Sequence, residues 1–119
     1  MILVDTSIWV NHLRSSSPEL ARALTEGLVL GHPSVVGELA CGNLRNRAQV
    51  LELLGKIPRA VRASDDEALE CIERNRLHGR GLGWTDVHLL ASALLTPARL
   101  WTLDGALARE AKRCGVARE

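Results

Sequence analysis

"MILVDTSIWV" (residues 1–10) carries an apolar run into an aspartate, then resumes the run after Thr6 and Ser7. A run without alternation reads as a strand buried on both faces, the pattern of a parallel sheet covered by helices. That the strand ends on a carboxylate has two readings. Asp5 caps the helix that follows, or it faces a ligand site at the carboxyl edge of the sheet, where open α/β sheets bind their ligands.

Working outward, the pattern repeats. Leu28-Val29-Leu30 and residues 99–103 (RLWTL) read as further strands, the last running into Asp104. Helical stretches lie between them. Residues 7–13 form one. Ser17-Pro18-Glu19 opens a second, with Ser as cap and Pro at the first position, stopping near Gly27. Ser34 caps a third, to about Gly42, and a fourth spans 43–54. Residues 57–63 are ambiguous and hold at most a short strand. Ser64 with Glu67 is a capping box and opens a helix to about His78. After the glycine loop at Gly79, Gly81 and Gly83, Thr85 caps a helix over 86–96 that Pro97 ends. A helix over 105–114 closes the chain, with Val116-Ala117 as a last edge strand. This alternation predicts a single α/β domain over 1–119: a three-layer sandwich, a small parallel sheet with helices on both faces.

Composition narrows the function classes. The chain is 46% hydrophobic but has no Phe or Tyr, so Leu, Val, Ala and Ile must build the core around Trp9, Trp84 and Trp101. No apolar run is long enough to cross a membrane, and the first residues lack a basic leader and a cleavage site. Cys41, Cys71 and Cys114 are widely spaced and form no CxxC pair, against a disulfide framework or a zinc knuckle; a reduced cytoplasm is expected. Apart from Lys56 and Lys112 every basic side chain is Arg. A GC-rich coding sequence would give that bias, and so would a need for phosphate-binding forks.

Four acids stand out by position. Asp5 and Asp104 follow strands. Asp86 sits at a helix start, on one face with Leu89, Leu90 and Ala93, where an unpaired charge is expensive. Glu38 lies in "PSVVGELACG" (33–42), flanked by apolar and small residues. Each has an ordinary reading: Asp5 and Asp104 as caps, Asp86 as a first-turn acid serving the helix dipole, Glu38 as the partner of a buried Arg. The other acids sit in polar stretches or on amphipathic helices. Together the four suggest one site. Clustered carboxylates do not all ionise without a cation, and oxygen-only ligation favours Mg²⁺ or Mn²⁺. The rest of the chain then carries 15 basic groups against 10 acidic ones, a fair seat for a phosphodiester backbone.

The stretches "LVDTSIWVNHLR", "VVGELACGN" (35–43), "GLGWTDVHLLASALL" (81–95) and "LWTLDGALAREAKRCGV" (100–116) resemble, in order and spacing, the PIN-domain ribonuclease toxins, the VapC-like toxins of type II toxin–antitoxin pairs. The resemblance spans nearly the whole chain. It implies a Mg²⁺-dependent endoribonuclease whose metal ligands fall on Asp5, Asp86 and Asp104, with Glu38 as ligand or water orienter. It implies that a metal-activated water attacks phosphorus in line, leaving 5′-phosphate and 3′-hydroxyl ends. Thr6 and Ser7 are expected to orient metal waters or the phosphate, with Thr102 in the T-x-D pattern and His88 near a bound phosphate or packed behind it. RNA as substrate, a cognate antitoxin whose tail reaches the acids, and a homodimer through the first half of the chain complete the implied partners.

Three rivals remain in view. A receiver-type phosphoacceptor wants an acidic pair at its first strand, and Asp5 has no acidic neighbour. A dehalogenase-like phosphatase needs Asp-x-Asp, where this chain has Asp5-Thr6-Ser7. A PIN-type module kept only for RNA or protein binding would not need the full acid set.

Overall fold

A computed structural model describes residues 1–118. Strands β1 (Ile2–Val4), β2 (Val29–Leu30) and β3 (Arg99–Trp101) form a parallel sheet in the order β2-β1-β3. The first strand of the chain is therefore central, which is why its apolar run does not alternate: Leu3 and Val4 are wholly buried. The register pairs Leu3 with both Leu30 and Leu100, and Val4 with Trp101. The two doubtful edge segments contribute single parallel bridges, Gly31 to Arg59 and Leu100 to Ala117, and no further strands.

Seven helices complete the described residues: α1 (Thr6–Ser15), α2 (Pro18–Thr25), α3 (Pro33–Cys41), α4 (Arg47–Lys56), α5 (Asp65–Asn75), α6 (Trp84–Leu95) and α7 (Gly105–Arg113). They give the expected three-layer α/β arrangement. Helix α6 is its central rod. Every residue from Val87 to Ala93 is buried, and Leu89 and Leu90, with no exposed surface, each contribute roughly 1.5–3 kcal/mol of burial. The core is aliphatic apart from Trp9.

Several boundaries differ from expectation, each for a local reason. Ser17 and Ser64 cap as predicted, Ser17 Oγ accepting from Leu20 N and Ser64 closing the full box with Glu67. Ser34 does not cap α3; His32 does, its Nδ1 accepting the Ser34 N–H at 3.0 Å. Thr85 does not cap α6; Gly83 holds that place, and the Asp86 carboxylate reaches back to its N–H. Helix α4 starts at Arg47 and not at residue 43, because Asn46 takes a left-handed conformation (φ 55°). β3 stops at Trp101 because the next polar groups are used elsewhere: the Leu103 N–H donates to Ser7 Oγ and the Asp104 N–H to Thr102 Oγ1.

One buried charge ties the periphery together. Glu110 is almost wholly buried. It accepts from Arg113 Nε at 2.7 Å, with Arg109 and Arg80 at 3.5 and 3.8 Å. Burial alone would raise its pKa; the Arg113 bond and the three positive charges prevail and hold it below the usual value. Arg113 also donates to the Asn75 carbonyl. Helix α7 is thus clamped to the end of α5 and to the glycine loop. In that loop Gly81 has φ 85°, and a Cβ there would lie 3.5 Å from Ala106.

Candidate active site

Parallel order sends the carboxyl ends of β1, β2 and β3 to one edge, where α1, α3 and α7 begin. Asp5 sits there, 7% exposed. It occupies the cap position of α1, yet its side chain makes no cap bond. Instead Oδ2 accepts from Ser7 Oγ at 2.8 Å and from Thr102 Oγ1 at 2.7 Å. Each hydroxyl has one proton, and both are committed to Asp5. The 3.3 Å approach of the two hydroxyl oxygens is therefore a close contact with no proton of its own. Each hydroxyl in turn accepts a backbone N–H, from Leu103 or Asp104. Asp5 and Asp104 are thereby coupled through Thr102.

Thr6, the intervening residue, donates to Glu38 Oε1 at 3.0 Å and so brings α3 to the end of β1. Asp104 caps α7 through Oδ1, accepting from Leu107 N. Asp86 projects from the first turn of α6. Its carboxyl pKa is raised, first by burial and then by the charges of Asp104 and Asp5, against the opposing bond from Gly83. That mutual repulsion places Asp5, Asp86 and Asp104 within electrostatic reach of one another.

Among the described residues none of the four acids is in an ion pair, and no three His, Cys, Asp or Glu side chains are drawn together closely enough to form a finished metal cage. The donor set, all carboxylate and free of basic neighbours, is of the kind that a hard divalent cation takes.

Thr6 donates to Glu38 and Ser7 to Asp5, so both hydroxyls position acids. His88 takes the packed place, one of its two readings. Two residues beyond Asp86 it lies about 200° around the helix, with Nε2 3.2 Å from Asp65 Oδ1 and its ring edge-on to Trp84. Asp65 reads in sequence as a solvated first-turn acid, and nothing in its neighbours signals a histidine partner from another helix.

The sequence that builds this edge, a central β1 ending on a hydroxyl-held aspartate, is similar to known proteins. A family model described as PIN domain matches residues 2–113, which include all four acids as well as Ser7 and Thr102. The chain belongs to the PIN-domain family, among its VapC-like ribonucleases. In particular it is similar to Ribonuclease VapC32 of two Mycobacterium tuberculosis strains, in each case with 44% identity over 118 residues, covering 98% of this chain and 95% of the relative.

Proposed function

We propose that this chain is a Mg²⁺-dependent endoribonuclease and the toxin of a type II toxin–antitoxin pair. One observation carries the reading: four carboxylates without a basic partner share one sheet edge, in a chain closely similar to a ribonuclease. Asp5, Asp86, Asp104 and Glu38 would hold the cation, with Mn²⁺ as a substitute. Once bound it would supply an acidified water and neutralise charge on the phosphate.

The chain's own residues do the rest. Ser7 and Thr102 fix Asp5 Oδ2 by two hydroxyl donors, so the carboxylate presents its other oxygen in one orientation. Thr6 does the same for Glu38. The Gly83 N–H holds Asp86 in the first turn of α6. Helices α1, α3, α6 and α7 direct their N-terminal ends to this region, which favours the anionic backbone of RNA. With water as nucleophile the products carry 5′-phosphate and 3′-hydroxyl ends; attack by a 2′-hydroxyl would leave a cyclic phosphate instead.

The test is cleavage of structured RNA in Mg²⁺ by the purified chain beside Asp5→Asn, with end-group analysis. Cleavage abolished by EDTA and by the substitution, with 5′-phosphate ends, is the expected result. RNA bound but never cut would favour a silent binding module. The cognate antitoxin and a homodimer are part of the same proposal and are read by co-expression and by solution mass.

A further inference from the structure

A second feature borders the acids. A cleft of about 190 Å³ opens at the N-terminal ends of α3 and α6, lined chiefly by Ser34, Arg62, Asp65, Trp84, Thr85 and His88. Trp84 and Thr85 immediately precede Asp86, and Ser34 lies one turn before Glu38. Ser34 follows β2, and Arg62 belongs to the segment that bridges to Gly31 beside β2. The cleft therefore continues the acid-bearing edge on its β2 side.

Its side chains are unusual for a plain surface. Trp84 is 45% exposed, in a chain otherwise without exposed aromatics. The ring is not loose. It stands edge-on to His88, with centroids 4.6 Å apart, and His88 is anchored in turn on Asp65. The indole is thus braced from behind and open in front. Arg62 is exposed and, among the described residues, in no ion pair. It lies near enough to His32, with Arg59, to act on it electrostatically. Positive charge that the acid cluster lacks is therefore supplied one step along the same edge. The rest of the lining is hydroxyl, carboxylate and imidazole, which suits a polar strand better than an apolar protein segment.

We propose that this cleft is a nucleotide subsite for single-stranded RNA, in which Trp84 stacks an unpaired base and Arg62 takes an adjacent phosphate beside the bond that the acids cut. The nature of the strand rests on the ribonuclease reading. Stacking on an indole accepts any base and holds it by its face, and a guanidinium grips phosphate as a fork. Together they place the chain of the RNA across the edge with its next linkage over the carboxylates. Asp65 and His88 hold the ring in place.

The experiment measures binding of a short mixed-sequence single-stranded RNA in Mg²⁺, in an Asp5→Asn background that keeps the strand intact, with Trp84→Ala, Trp84→Phe and Arg62→Ala added singly. Circular dichroism confirms that each variant is folded. Trp84→Ala is expected to weaken binding roughly 5- to 100-fold and Trp84→Phe much less. Arg62→Ala is expected to weaken binding and to reduce its salt dependence by about one phosphate. Unchanged affinity in Trp84→Ala, while the unsubstituted chain cleaves RNA, overturns the subsite and leaves the ribonuclease reading standing. RNA bound through Trp84 by a chain that cleaves nothing supports the subsite and overturns the ribonuclease reading. Absence of any RNA binding overturns both. Intact RNA affinity with lost binding of an antitoxin protein would make this a protein-docking cleft and overturn the proposal.

Discussion

At Asp86 three effects meet: partial burial, the charges of Asp104 and Asp5, and one compensating backbone bond from Gly83. The first two prevail, so the folded state binds a proton here more tightly than the unfolded chain does. Above the raised pKa the ionised side chain therefore costs stability, and the cost fades as pH falls through that value. Asp86→Asn removes the charge and keeps an oxygen for the Gly83 N–H. The variant should melt higher than the parent at neutral pH without divalent ions, and the gap should close in acid. Added Mg²⁺ should raise the parent's Tm and not the variant's, and RNA cleavage should fall roughly 100-fold or more, since even the outer partners of metal ligands are worth 10- to 100-fold. Equal melting of the two proteins at neutral pH would remove the electrostatic account of the cluster. The four acids were legible in sequence because each breaks a local rule, a strand ending in charge or a carboxylate on an apolar face. The hydroxyl pair on Asp5 was legible only as a neighbourhood. Thr102 and Ser7 meet across 95 residues, and no local pattern encodes such a meeting.

Among the elements, α3 depends on an uncommon cap. His32 accepts the Ser34 N–H through Nδ1, so its Nε2 carries the proton in the neutral ring and donates to Ser92 Oγ at 3.1 Å, joining the start of α3 to the middle of α6. Burial first, then the neighbouring His88 ring and the guanidinium charges of Arg62 and Arg59, lower its pKa to about 4. A histidine held neutral contributes stability that is complete above its unfolded value near 6.5 and is lost as pH falls toward about 4, in total on the order of 3 kcal/mol. His32→Asn keeps an acceptor for the cap but has no such titration. Urea unfolding at pH 7 and pH 5 should show the parent losing stability and the variant losing less; parallel losses would rule the histidine out as the cause. Caps built from serine were readable in advance because a hydroxyl three residues before a backbone N–H is a local signal. A cap built from imidazole, or from a glycine answered by Asp86, depends on what the side chain does after folding, and residues 34 and 85 misled for that reason.

For the molecule as a whole, the layered α/β plan followed from strand runs that do not alternate, and it held. What sequence could not reveal is which long-range charge pairs fasten the layers. Glu110 sits on an amphipathic helix and reads as a solvated acid, yet it is buried under three arginines. Glu110→Ala would remove the anion that gathers these partly exposed arginines, at a cost of about 1.5–3 kcal/mol for the lost charged hydrogen bond. Urea unfolding should show that loss, and amide exchange should rise first in the glycine loop that Arg80 joins to α7. Unchanged exchange at residues 76–83 would mean that the loop is held by packing alone.

The sheet order has a consequence for the life of the chain. β1 precedes both its neighbours in the chain but lies between them, and β3 follows only after β2 and six helices. Asp5 is held by Thr102, and Asp104 follows at once. While the chain is still growing on the ribosome, the acids at positions 5, 38 and 86 can emerge but have nothing to align the first of them. The arrangement that fixes Asp5 therefore needs residues 101–104 to be in place. The order of the strands thus makes the first acid of the edge depend on the last strand of the sheet.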